Sequence, residues 1–303
     1  MNKFPIVGID NAGKTSIILA FQREFHSFSK VKPTKRIKRT SLTFLDKDIY
    51  IWDMGGQQKY RKKYMKNPEV TFGDVDYCFF VIDIQDQDRF PEMLSYYQLI
   101  RTSLLEYSST AEMIILLHKF DPEIATQPSY IDMANAAEQK LTEISHPLSV
   151  SFYRTSIFNP LTIIQAFSQA IMGNSVISQN LKISFQNFIE THRFEDVLSY
   201  ILVFTSNLIE IGSYVDPDIE IEQIQKGTMK ILEVLDEENM ELNTADLSIS
   251  AKDLDIQIMK DTINDRAYFF IFGYKPKKIQ NLAQFGEMIS NFQQEVKKLM
   301  LFM

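Results

Sequence analysis

The sequence has only one cysteine and one tryptophan among 303 residues. A lone Cys78 cannot close an internal disulfide, and inside the apolar run Tyr77–Ile82 it reads as a small buried core residue, compatible with a reducing, cytoplasmic compartment. Long apolar runs are missing too: no segment approaches about eighteen consecutive apolar residues, so no membrane-spanning helix is expected. No charged region followed by an apolar one opens the chain, position 2 is not glycine, and no cysteine stands near the C-terminal end. A signal peptide and the common lipid anchors are therefore not expected, and any recruitment to an internal membrane should come through a partner. Positive charge is in deficit, with 32 Lys and Arg against 39 Asp and Glu. The basic stretch Lys30–Arg39 contains a proline and lacks aromatics to stack on bases. It reads as an exposed, solvated segment, and nucleic acid is not an expected partner.

What is present suits two domains of ordinary size. The apolar fraction of 45% and the charged fraction of 23% supply a core for each. Residues 1–173 hold 20 basic and 19 acidic side chains, net +1, leaving 12 and 20, net −8, for residues 174–303. The small, polar stretch 174–178 marks the expected junction between a first domain at 1–173 and a second at 179–303.

Gly8 to Ser16, Gly-Ile-Asp-Asn-Ala-Gly-Lys-Thr-Ser, fits G-x-x-x-x-G-K-[ST]. Backbone N–H groups of such a loop, here Asp10, Asn11, Ala12, Gly13 and Ser16 with their neighbours, wrap phosphates, while Lys14 reaches the β and γ oxygens and Thr15 ligates Mg²⁺. A short apolar run precedes it and helical spacing over Ile17–Phe25 follows, so an anion there meets a helix N-terminus. Downstream, a hairpin pattern, Ser41–Leu45 and Ile49–Trp52, runs into Asp53-Met-Gly-Gly-Gln57. Asp53 is placed to hold Mg²⁺, a glycine N–H to touch a γ-phosphate, and Gln57 to orient an attacking water.

Strand and helix patterns then alternate: Tyr77–Asp83, Phe90–Tyr107, Met113–Leu117, Ser129–Ile144, Leu148–Tyr153 and Leu161–Met172. This is the signature of an α/β domain with a mostly parallel sheet, which binds ligands outside the carboxyl ends of its strands. One such end carries His118-Lys-Phe-Asp121 and another Arg154-Thr-Ser-Ile157. A carboxylate at Asp121 accepts two hydrogen bonds from guanine that adenine does not offer, selecting GTP over ATP.

Together these motifs resemble the G motifs of small GTPases. The G-x-D-x-A-G-K-T and W-D-x-G-G-Q forms are similar to the Arf and Rag branches, and the His118 and Thr-Ser-Ile departures resemble the Rag/Gtr family, on its RagA-like side. The resemblance implies GTP or GDP with Mg²⁺ as ligands. Thr34, after Pro33 and 19 residues before Asp53, would be the switch threonine that joins Thr15 and Asp53 at Mg²⁺. Gly56 and Gln57 would begin the second switch, with Gln57, Lys14 and Thr34 catalytic. Lys119 would pack along the base, Asp121 would read it, and Ser156 and Ile157 would support its edge. His118 stands where small GTPases usually carry Asn, and Asp10 brings a carboxylate close to the γ-phosphate position.

From 179 onward the pattern is a helix at Leu181–His192, strands at Val197–Phe204 and Leu208–Tyr214, and a helix from Pro217 to Asn239. Strands at Leu242–Ile249, Leu254–Ile258 and Ala267–Tyr274 follow, then a helix at Ile279–Phe302. This order matches the α+β roadblock/longin-like domain of Rag/Gtr proteins. The resemblance implies a hetero- or homodimer with a related GTPase through this half, GTPase-activating and exchange partners, and roadblock/longin scaffold partners. His192, alone at a helix end, reads as a cap. The expected function is a slowly hydrolysing GTP switch. Two other readings stay open: a nucleotide-locked scaffold and a monomeric Arf-like trafficking GTPase.

Overall fold

In the computed structural model, residues 2–44, 47–172, 176–206, 208–219, 227–228, 231, 247–250 and 253–301 are described. The chain divides into two units, Met1–Ala166 and Phe167–Met303, the boundary falling inside a helix, Pro160–Met172.

In the first unit, the apolar strand β4 (Tyr77–Asp83) is buried at every residue and β5 (Glu112–His118) at all but its first. Such runs form when both faces of a strand are covered. They lie within a six-stranded sheet of order β2 (Ile37–Phe44), β3 (Lys47–Met54), β1 (Asn2–Val7), β4, β5, β6 (Val150–Thr155). All neighbours are parallel except the hairpin pair β2 and β3. Helix α1 (Lys14–Phe21) follows β1; α2 (Gln58–Tyr64) and α3 (Pro68–Phe72) follow β3; α4 (Phe90–Tyr107), α5 (Pro128–Ser145) and α6 (Pro160–Met172) follow β4, β5 and β6. Tyr97, Ile100 and Leu104 of α4 share one core with Ala134 and Leu141 of α5 and with Phe80, Ile115 and Leu117 of the sheet. Phe80 meets Tyr97 edge-on at 5.1 Å, a favourable aromatic geometry.

Register is what positions the site. Ile6 stands opposite Asp53, Asp83 opposite His118, and His118 opposite Thr155. The carboxyl ends therefore finish side by side, and the loops that leave them share one rim.

Three local expectations change. Helix α1 stops at Phe21 because Arg23 takes a left-handed φ of 59°, so Phe25 begins a separate 3₁₀ turn, Phe25–Lys30. The basic stretch is not wholly an unpaired loop: Ile37, Lys38 and Arg39 open β2, pairing with Met54, Asp53 and Trp52. An edge strand tolerates charged side chains, which also discourage edge-to-edge association. Residues 173–175 lie outside the described residues, and Val176–Ser178 already belong to α7 (Val176–His192). With no Gly or Pro there, continuing the helix costs little.

In the second unit, α7 and a helix at Leu282–Leu301 accompany a fully antiparallel sheet. Its order is β8 (Glu210–Val215), β7 (Leu198–Thr205), β11 (Arg266–Tyr274), β10 (Asp255–Ile263), β9 (Leu247–Ser250). Phe188 of α7 stacks on Phe292 of the Leu282–Leu301 helix at 3.9 Å, and Phe185 meets the same ring edge-on at 5.9 Å. The Tyr268–Phe272 run lies buried in central strand β11, as its composition predicts. Most of the expected helix Pro217–Asn239, and residues 242–246 of the next expected strand, lie outside the described residues.

Candidate functional site

The loop between β1 and α1 carries Gly8 to Ser16. Lys14 is buried at its centre, its Nζ donating to the carbonyl oxygens of Ile9 at 2.6 Å and Gly8 at 3.1 Å. Burial pushes the ammonium down to about 8, while Asp53 and Asp10 act against that loss. Asn11 takes a left-handed φ of 63°, and Gly13 one of 91° that a side chain would adopt only with strain. Ala12 is fully buried, and Ser16 is half-buried on α1.

Three oxygens from three segments converge beside this loop. Thr15 Oγ1 and Thr34 Oγ1 each donate to Asp53 Oδ2 at 2.8 Å and stand 2.9 Å from each other. Asp53 is 2% exposed, and its other oxygen, Oδ1, is buried without a hydrogen-bond partner. A carboxylate oxygen in that condition is costly unless it faces a cation or a bound water. Two hydroxyls and one carboxylate are hard oxygen donors of the kind Mg²⁺ takes alongside phosphates and waters. The residues present fit that ion.

The segments around Thr34 and beyond Asp53 are tied together by main chain. The Arg36 carbonyl accepts from Gly55 N–H and from Tyr64 Oη–H, both at 2.7 Å. Gly56 packs on the phosphate loop so closely that a β-carbon there would lie 2.4 Å from the backbone of Ile9 and Asp10. Gln57 is half-buried at the N-cap of α2. Arg61 departs from its basic neighbours: only 8% exposed, it donates to the Gly56 carbonyl at 2.8 Å, pairs with Glu92 and lies over Tyr96. Lys59, Lys62 and Lys63 are exposed. Trp52, one residue before Asp53, lies between the cations of Lys3 and Arg39, each 4.3 Å from its ring, so Arg39 is not a free loop charge.

At the far end of the rim, Asp121 accepts from Ser156 Oγ at 2.6 Å and from Gln85 Nε2 at 3.3 Å. Gln85 also holds the Lys119 carbonyl at 2.7 Å, and the Lys119 ammonium pairs with Asp83 at 2.6 Å. Ile157 is half-buried beside Ser156. His118 is 2% exposed, with Nδ1 3.0 Å from Thr155 Oγ1. Burial and the Lys119 charge lower its pKa to about 3, so the imidazole is neutral at physiological pH.

The structure thus gathers the expected residues in two adjoining groups. One is Asp10 to Ser16 with Thr34, Asp53, Gly56 and Gln57; the other is His118, Lys119, Asp121, Ser156 and Ile157. The sequence reading missed Asp83, Gln85, Arg61 and Arg89. A carboxylate closing a wholly apolar strand, as Asp83 does, is the signal that would have found the first, and the Asp86/Arg89 spacing of three the last.

Residues 3–226 match the Gtr1/RagA G protein conserved region. The chain belongs to this family. Its fold is a P-loop small GTPase domain followed by an α+β roadblock/longin-like domain, as in Rag/Gtr-type GTP-binding proteins. Ras-related GTP-binding protein B of Rattus norvegicus is 28% identical over 153 residues, 50% of this chain and 40% of that protein. The chain thus spans well under half the length of that curated relative. ADP-ribosylation factor-like protein 5 of Caenorhabditis elegans is 30% identical over 129 residues, 43% of this chain and 68% of that protein. Among solved structures, the Arl6 BBS3 small GTPase of Trypanosoma brucei, with bound nucleotide analogue GppNp, aligns at 18% identity with a TM-score of 0.44, over 56% of this chain and 95% of its own. Among the described residues, no helix is long and apolar enough to cross a membrane.

Proposed function

We propose that this Gtr1/RagA-family chain is a guanine-nucleotide switch that binds GTP with Mg²⁺, hydrolyses it slowly and recruits partners according to its nucleotide state. The observation that carries this reading is the meeting of Thr15, Thr34 and Asp53, with Asp53 Oδ1 buried and unpartnered. It joins the phosphate loop, the first switch segment and β3 at one point.

Lys14 neutralises the β and γ phosphates, and N–H groups of Asp10 to Ser16 hold their oxygens. Thr15, Thr34 and Asp53 would hold Mg²⁺, which would supply positive charge to offset that of the phosphates. Gln57 orients the attacking water. Asp121, steadied by Ser156, accepts from guanine, while Lys119 and Ile157 flank the base and His118 closes the floor of the site. Departure of the terminal phosphate releases the segments around Thr34 and after Gln57.

Arg61 is held by Gly56 and Glu92, which supports an arginine supplied by an activating partner and a slow rate without one. Exposed Lys35, Arg36, Lys38, Lys59, Lys62 and Lys63 give the switch segments a basic face suited to an acidic partner surface. The C-terminal domain pairs with a related GTPase, hetero- or homodimerically. A monomeric mass at micromolar concentration, alone and mixed with such a partner, would count against that pairing.

The nucleotide reading is tested by stripping the full chain of nucleotide and titrating GTP, GDP and ATP, each with Mg²⁺, against a fluorescent guanine nucleotide. GTP and GDP should displace the probe and ATP should not. Failure of every nucleotide to bind would overturn the switch.

A further inference from the structure

The phosphate loop of this chain carries a carboxylate, Asp10, in a place where negative charge opposes an incoming phosphate. The structure supplies its counter-charge from 79 residues away. Arg89 closes the 3₁₀ turn Gln87–Arg89 that leads into α4. One edge of its guanidinium is fixed by Asp86, with Nε donating to Oδ2 at 2.6 Å and a second contact through a terminal nitrogen. The same terminal nitrogen also donates to the Asp10 carbonyl at 3.1 Å, and the other terminal nitrogen lies 3.5 Å from Asp10 Oδ1. A surface pair formed only for helix stability would end at Asp86. Here the same fork grips both the main chain and the side chain of a residue in another loop, as a bidentate guanidinium is shaped to do.

The residues that lead into this turn touch the other end of the site. Asp83 pairs with Lys119, and Gln85 binds the Lys119 carbonyl and Asp121. One short segment, Asp83 to Arg89, therefore spans the base-reading group and the phosphate loop, with its positive charge at the phosphate end only. Gly56 rests on the peptide that enters Asp10 and Arg89 on the carbonyl that leaves it, so the second switch and Arg89 meet on two successive peptide groups joined at Asp10.

We propose that Arg89 is a positioning residue that makes the phosphate loop selective for a nucleoside triphosphate over a diphosphate, by holding the Asp10 carboxylate and fixing the Asp10 carbonyl. The inference rests on the guanine-nucleotide reading above. Its physical basis is additive charge: with Arg89 in place the Asp10, Asp86 and Arg89 group carries one net negative charge, and without it two. The penalty falls on the ligand with the additional terminal phosphate. Because both Arg89 and Asp10 are partly exposed, water and salt screen the effect to a modest size.

The test compares GTP and GDP affinities of the full chain in wild type, Arg89→Gln, Asp10→Asn and the double variant, at low and high salt. Arg89→Gln should lower the GTP-to-GDP affinity ratio by roughly fivefold at low salt and less at high salt. Asp10→Asn alone should raise the ratio and the double variant should return it towards wild type, while Arg89→Lys, which keeps the charge but loses the fork, should preserve only part of it. Equal weakening of GTP and GDP by Arg89→Gln, with no recovery on adding Asp10→Asn, would reduce Arg89 to a structural pair and overturn the inference. An unchanged ratio in Asp10→Asn would overturn it even if Arg89→Gln failed to fold. Wild type that binds neither nucleotide would bring down the switch reading itself, an outcome distinct from an unchanged ratio in a chain that binds both.

Discussion

The imidazole of His118 lies directly against Gly13: a β-carbon built at Gly13 would stand 2.5 Å from His118 Cδ2. The ring thus fills the gap between the phosphate loop and β6, where it meets Thr155, so the His at this motif position is a packed joint between the two halves of the nucleotide site.

That burial predicts acid sensitivity. His118 titrates near its ordinary value of about 6.5 in the unfolded chain but only at about 3 in the folded one. Below about 6.5 the unfolded state holds a proton that the folded state refuses, so stability falls with pH, by up to about 1.4 kcal/mol per unit from this group. Denaturant unfolding between pH 7 and 4.5 should show that slope, and His118→Asn should flatten it. An equally steep loss in the variant would assign the sensitivity elsewhere.

Lys14 predicts the opposite edge of the pH range. Its pKa of about 8 in the free protein should rise when phosphates surround the ammonium. Below about 8 the charge is already present and GTP affinity is flat. Above it, binding must take up a proton, so affinity should fall towards tenfold per unit. Competition titrations at pH 7, 8 and 9 would show the bend, and Lys14→Met should bind weakly at all three.

Trp52 offers a direct view of the metal group, being the single tryptophan and the neighbour of Asp53. Adding Mg²⁺ to the GTP-loaded chain should change its emission. Thr34→Ala should weaken the Mg²⁺ dependence of the GTP form by about a hundredfold, since even outer partners of metal ligands cost 10–100-fold, and leave the GDP form nearly unchanged. Equal loss in both forms would remove Thr34 from its role as a sensor of the terminal phosphate.

Tyr64→Phe deletes the hydroxyl that holds the Arg36 carbonyl while keeping the ring. A loss of about 1 kcal/mol is expected, concentrated in the switch segments and visible as faster amide exchange at Gly55 and its neighbours. Unchanged exchange there would show that Gly55 alone maintains the joint.

The sequence displayed the parts of the site that local chemistry dictates. Gly8 to Ser16, Asp53 and Asp121 each need a particular residue in a particular order, and the apolar runs of β4, β5 and β11 announce burial without help from the rest of the chain. Arg61 was invisible for the opposite reason, and of the two partners of Arg89 only Asp86, three residues away, was legible. A cation in a basic or polar stretch reads as solvated unless its partner is known, and the distant ones, Glu92 for Arg61 and Asp10 for Arg89, are set by the fold. The opening of β2 at Ile37 was similarly obscured, since an edge strand accepts lysine and arginine that a central strand would reject.

The Arg36 carbonyl joins the two switch segments, yet every amino acid has a carbonyl. Any residue able to take the left-handed φ of 64° found there preserves the joint, while the exposed side chain remains available to vary. Lineages descending from one ancestor can therefore redraw the charged face seen by partners at this position and inherit the same internal coupling. A comparison of side-chain identities would pass over that coupling, whereas asparagine or glycine appearing at the position would mark its persistence.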